Sequence, residues 1–121
     1  MISEAIQQTL ATIIPNTYMS MGDEEIITPY ATHRETGVPN YGKAGILGYT
    51  YQVEVLIVDD TPDKVEQLLQ SVKNALRELE GTTVCGTGIE LVIWEDDEPD
   101  FDIESQMYTS VSTFTIDTSN R

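Results

Sequence analysis

One cysteine, one histidine, one tryptophan and 6 lysines and arginines are all that the 121 residues hold of those types. A lone Cys85 excludes an internal disulfide and leaves no thiol cluster for zinc, so synthesis in a reducing cytoplasm is the expectation. A lone His33 has no second histidine to share a metal or a proton relay. Against 21 acidic residues the few bases leave a formal charge of −15. Such a surface repels nucleic-acid phosphates and anionic lipid headgroups, so direct nucleic-acid binding is disfavoured. No run approaches the ~18 apolar residues that span a bilayer. The N-terminal MISEAIQQTLATIIP has no basic stretch and no small-residue cleavage site, so no signal peptide is expected.

What is present reads as one globular domain, with 40% hydrophobic and 22% charged residues over residues 1–121. Ile2, Ile6, Leu10 and Ile13 recur at helical spacing, with Ser3 as a cap and Pro15 as a stop, which predicts a helix over 3–13. A short extended piece at 17–21 and an acidic turn, Gly22-Asp23-Glu24-Glu25, lead to a strand over 26–34. Pro29 inside that strand predicts a sheet edge. Residues 36–48, TGVPNYGKAGILG, hold four glycines and no periodicity, and are expected to form a long functional loop. YTYQVEVLIV, 49–58, predicts a central strand with Tyr51, Val53, Val55 and Ile57 on one face.

Thr61-Pro62-Asp63 is a helix start, with a capping hydroxyl, a proline at the first position and a carboxylate at the positive end of the dipole. Val65, Leu68, Leu69, Val72, Leu76 and Leu79 mark its buried face through residue 80, where Gly81 can end it. A strand from Val84 to Trp94 with Ile89, Leu91 and Ile93 on one face follows, then an acidic hairpin tip, then a last strand over 106–117 in which Val111 and Phe114 differ in parity, which suggests a bulge or two useful faces. The order α-β-β-α-β-β predicts an α+β fold: a mixed, mainly antiparallel sheet of four to five strands with both helices on one face.

Chemistry is thinly represented. Cys85 and His33 are the only candidates for a thiol dyad, and nothing near either supports one. WEDDEPDFDIE, 94–104, packs seven acids into one run, yet it lacks the glycine and alternating ligands of a calcium loop. It reads as a solvated tip, with a weak cation site, a metal-dependent hydrolase or a contact for a basic partner as the alternatives. CGTGIE, 85–90, lacks the third glycine and the lysine of a phosphate loop and reads as a turn. Ile46 and Leu47, set between glycines, suit docking to another subunit better than a core.

The layout as a whole resembles the tail-completion or tail-terminator proteins of long-tailed bacteriophages and prophages. The likeness is carried by Thr28-Pro29-Tyr30, by Tyr51-Gln52-Val53-Glu54-Val55, by a capped helix ending Asn74-Ala75-Leu76 and by the final strand from Tyr108 to Ile116. It implies a non-enzymatic virion protein with no cofactor and no metal. It also implies a homohexameric ring that closes the tail tube and joins it to the head–tail connector while DNA passes through unbound. On that reading Tyr30, His33, Arg34, Tyr41, Lys43, Ile46 and Leu47 make contacts between subunits. Glu95, Asp96, Asp97, Glu98, Asp100, Asp102 and Glu104 face a lumen or a partner. This last hairpin is more acidic than the resemblance implies, which admits a rival: a small acidic module that docks a basic protein.

Overall fold

A computed structural model describes residues 2–18 and 28–119 of the chain. The expected acidic turn at 22–25 and the start of the strand expected from residue 26 lie outside the described residues. The elements are α1 (Ile2–Ala11), β1 (Thr17–Tyr18), β2 (Tyr30–Gly42), β3 (Gly45–Asp59), α2 (Pro62–Glu78), β4 (Thr83–Val84), β5 (Thr87–Asp102) and β6 (Met107–Ser119). They form an α+β fold with one six-stranded sheet in the order β1-β2-β3-β6-β5-β4. β1 runs parallel to β2 and every other pairing is antiparallel. The long elements follow the expected α-β-β-α-β-β order, and the two-residue β1 and β4 raise the strand number to six.

α2 begins where its local chemistry says it should. Thr61 is extended, its hydroxyl accepts from the Lys64 N–H, and Pro62 opens the helix. Val65, Leu69, Val72 and Leu76 of α2 meet Ile2, Ile6 and Leu10 of α1 over Val53, Val55, Ile57, Phe114 and Ile116 of the sheet, all buried in one cluster. Each such side chain contributes roughly 1.5–3 kcal/mol on leaving water. α1 starts at Ile2, so Ser3 lies inside it and does not cap it.

Three expectations are corrected. Residues 36–48 are not a loop. They form the outer half of a long β2–β3 hairpin whose turn is confined to residues 43 and 44. The glycines serve close approach: a Cβ on Gly37 would fall 2.5 Å from the Tyr51 ring, and one on Gly48 would fall 1.9 Å from the Thr118 carbonyl oxygen. Only Gly45, at φ 124°, is there for the turn itself.

Ile89, Leu91 and Ile93 do not share a face. Register shifts at Glu90 and Glu95 each insert one residue into β5, so Ile89, Val92 and Trp94 lie on the helix side, opposite Thr118, Ile116 and Phe114. Leu91 and Ile93 are turned out, 38% and 42% exposed. The parity difference between Val111 and Phe114 therefore comes from no bulge in β6. Its register is regular, with Ser110, Ser112, Phe114, Ile116 and Thr118 inward and Val111 on the other face.

Finally, 95–102 is not a tip but the second half of β5; the turn is at 103–106.

Candidate functional site

No helix covers the second face of the sheet among the described residues. It is polar and cross-braced. The Asn40 amide donates to the Thr50 hydroxyl at 3.0 Å, Thr50 donates to Asp117 at 2.8 Å, and Thr115 donates to Glu95 at 2.8 Å. These bonds let Thr and Asn side chains sit on an open sheet without an apolar cover. The face ends in two hairpins at opposite ends of the sheet. Gly48 is level with Ser119 and Gly88, so residues 41–47 project past the described ends of β6 and β5 as an arm. The arm is apolar where it is most exposed, with Tyr41 72% and Leu47 62% accessible and Ile46 and Lys43 also exposed, and Val38, just before it on β2, is 62% accessible. Tyr30 lies at the far end, half-buried. Burial and, secondarily, the nearby Asp102 charge push its phenol above the ordinary value.

His33 sits inside the fold. Its side chain has no accessible surface, and both ring nitrogens are engaged, Nδ1 by the Glu35 carboxylate and Nε2 by Gln7 Oε1 at 2.6 Å. Gln7 Nε2 donates to the Thr17 carbonyl, which turns the amide oxygen toward the ring. Both ring nitrogens thus have a hydrogen-bonding partner within the fold. No thiol takes part: Cys85 sits in the tight turn between β4 and β5 at φ 50°. Arg34, by contrast, points outward with its side chain 76% exposed, 3.9 Å from Glu54.

Six of the seven acids in the run, Glu95, Asp96, Glu98, Asp100, Asp102 and Glu104, are exposed, and Asp96, Glu98, Asp100 and Asp102 share the open face of the strand. Among the described residues no group of three or more His, Cys, Asp or Glu could hold a metal ion. Asp97 is different. Its carboxylate accepts from Lys73 Nζ at 2.6 Å, Trp94 Nε1 at 2.9 Å and the buried Ser112 hydroxyl. Burial pushes its pKa up, but the hydrogen bonds from Lys73, Ser112 and Trp94 outweigh that and hold it below the ordinary carboxylate value. Lys73 also lies 4.3 Å over the Trp94 ring. Sequence reasoning missed Trp94, Lys73 and Ile103, the last 81% exposed at the β5–β6 turn. Trp94 beside a long acidic run was the one available signal.

Among the described residues β1 pairs with β2 at Ala31 and Thr32, and β4 pairs with β5 at Thr87 and Gly88. The Ala31 N–H donates to the Asn16 carbonyl, so by alternation His33, Glu35, Gly37 and Pro39 turn their backbone groups to that same side of β2. On β5 the Ile89 N–H and Val92 N–H point outward, to Thr82 and to the Glu80 carboxylate. Carried through the second bulge, Trp94, Asp97 and Pro99 face outward as well. Each edge thus places its one proline where a missing N–H costs the inner ladder nothing.

The fold is similar to that of a chain in the solved virion of a native gene transfer agent particle, at a TM-score of 0.76 and 12% identity over 94% of this chain and 91% of that one. At that identity the likeness is one of fold. No protein-family model matches the sequence, and no curated protein matches it.

Proposed function

We propose that this chain is a non-enzymatic structural subunit of a phage-like particle, a ring-forming piece that ends the tail tube and joins it to the head–tail connector. The observation that carries the reading is the full-length fold likeness to a virion chain, taken with a projecting arm whose most exposed side chains are apolar. A monomer has little reason to expose Tyr41, Ile46 and Leu47 on one arm with Val38 beside it, whereas a subunit covers them with a neighbouring copy or layer. With both helices outward, the Thr-rich open face and its Asp96, Glu98, Asp100, Asp102 and Asp117 line the lumen of such a ring. Like charge there lets DNA pass without capture.

Light scattering on the purified protein, alone and with the tube protein, tests this. Wild type forms a ring or caps tubes, and Leu47→Glu leaves the fold unchanged while reducing assembly at least tenfold, about 1.4 kcal/mol or more. A wild-type monomer that ignores tubes defeats the reading. The exposed acids at 98–104, which meet no basic side chain among the described residues, favour one second reading, a module docking a basic protein, and a monomer that binds basic partners with strong salt dependence would support it.

A further inference from the structure

We propose that copies of this chain join head to tail: Ile103, at the β5–β6 turn of one copy, seats in the groove between α2 and β5 of the next, with Glu104 beside it facing Arg77. This rests on the ring reading above and adds the two surfaces that meet.

The groove follows from how α2 lies on the sheet. α1 packs on β1 and β2, while α2 packs on β3, β6 and β5. The flank of α2 that carries Lys73, Asn74 and Arg77 therefore faces β5, at the edge of the sheet opposite β1. Between them is a cavity of about 260 Å³ with Val92 and Phe114 as its floor and Trp94 as a wall. A dry apolar cavity of about 150 Å³ holds a benzene ring, so a branched aliphatic side chain fits here. Trp94 is 51% exposed, and a tryptophan next to an arginine is the pairing in which protein contacts concentrate their energy.

Charge selects the occupant. Among the described residues Arg34, Lys64 and Lys73 each lie beside an acid, whereas Lys43, on the arm, and Arg77 do not. Lys73 is held by Asp97, and the Glu80 carboxylate accepts from the Val92 N–H, so Arg77 is the charge this groove has left to offer. The occupant is then an apolar side chain next to a carboxylate. The two projecting ends of the chain answer differently. Residues 36–48, which include the arm, hold no acid, and their one charge is Lys43. The β5–β6 turn presents Ile103, 81% exposed, between Asp102 and Glu104. Asp102 accepts from the Glu104 N–H and the Ser105 hydroxyl of its own turn. The Glu104 carboxylate is exposed and meets no basic side chain among the described residues.

Distance makes the contact one between copies. Trp94 is level with Phe114 and Asp102 with Met107, and the stretch of β6 from Phe114 to Met107 spans roughly 24 Å at ~3.4 Å per residue. The turn cannot reach the groove of its own copy. Two different patches of one chain then meet, a heterologous contact that repeats in one direction and closes into a ring. The groove opens on the helix side, so the contact lies on the outer wall and leaves the acidic open face to the lumen.

The test is a charge exchange read by light scattering. Arg77→Glu and Glu104→Arg each weaken assembly about tenfold or more, and the two together restore it. Ile103→Ser weakens assembly as much. All three side chains are exposed, so the circular dichroism stays that of wild type. Emission from the single tryptophan shifts to the blue as wild-type copies assemble and does not shift in Ile103→Ser. In a Cys85→Ser background, Asn74→Cys with Ile103→Cys gives on oxidation a ladder of covalent multimers on a denaturing gel, lost on reduction. If rings form while these substitutions leave assembly and emission unchanged, this contact is wrong and the ring reading stands. If they weaken binding to tubes but not self-assembly, the groove serves another layer and the pairing of copies is wrong. If the protein stays monomeric at every concentration and with tubes, both are overturned.

Discussion

Removing the Asp97 carboxylate should be the most costly single change in the second half of β5, since the six other acids of the same run are exposed. Asp97 accepts from Lys73, Trp94 and Ser112, and the Lys73 and Asp97 side chains are only 20% and 22% exposed. A hydrogen bond to a charged group contributes about 1.5–3 kcal/mol net, and three sharing one carboxylate do not add in full. Asp97→Ala therefore costs about 3 kcal/mol. Asp97→Asn keeps an acceptor for Trp94 and Ser112 while losing the attraction to Lys73, and costs about 1–1.5 kcal/mol. Urea unfolding followed by circular dichroism and by the single tryptophan, which lies within the cluster, measures both.

The pH dependence supplies a second check. The folded carboxyl is held below the ordinary 3.8, so the unfolded chain binds the proton more readily. The stabilisation is fully present above 3.8 and is lost as pH falls through the depressed folded value. The gap between wild type and Asp97→Asn should hold at neutral pH and close in acid. A loss under about 0.5 kcal/mol for Asp97→Ala, or a gap that stays open in acid, would refute the account of this cluster.

Two other substitutions address the fold. His33→Ala removes a fully buried ring and leaves the Glu35 carboxylate and the Gln7 amide without their ring partner, so unfolding in urea should shift by about 2–4 kcal/mol, whereas an unchanged midpoint would mean that the ring is not buried in this tie. Gly48→Ala would drive a Cβ to 1.9 Å from the Thr118 carbonyl oxygen. Since that neighbour is backbone, β3 and β6 must part there, at a cost of about 2 kcal/mol or more; an unchanged midpoint would mean that the strands are not this close.

What could be read from the sequence is what local chemistry encodes. Thr61, Pro62 and Asp63 mark the start of α2 by groups within one turn of each other, and Tyr51, Val53, Val55 and Ile57 show the inner face of β3 by plain alternation. What could not be read depends on residues far apart in the chain. Gly37 and Gly48 look like loop glycines until Tyr51 and Thr118 are placed beside them. The extra residues at Glu90 and Glu95 turn β5 over twice, and a search for alternation returns the wrong face in consequence. Asp97 is one of seven acids in a row, and only Lys73, a helix away, distinguishes it.

His33 brings these two kinds of information together. As a lone histidine ahead of Arg34 and Glu35 it invites a choice between chemistry and contact, and the structure gives its side chain neither. The ring is a buried tie between α1, through Gln7, and β2, through Glu35. Its backbone turns to the side of β1, as the Ala31 N–H does two residues earlier and as the pairing of Thr32 with Tyr18 requires. The ring of His33 therefore bears on assembly only by holding this part of β2 in place, while Arg34 next to it presents an exposed charge. A substitution at position 33 should then weaken assembly only in proportion to the stability it costs, whereas Arg34→Glu should weaken assembly at no cost in stability. That contrast separates a residue that holds an edge in shape from one that reads its partner.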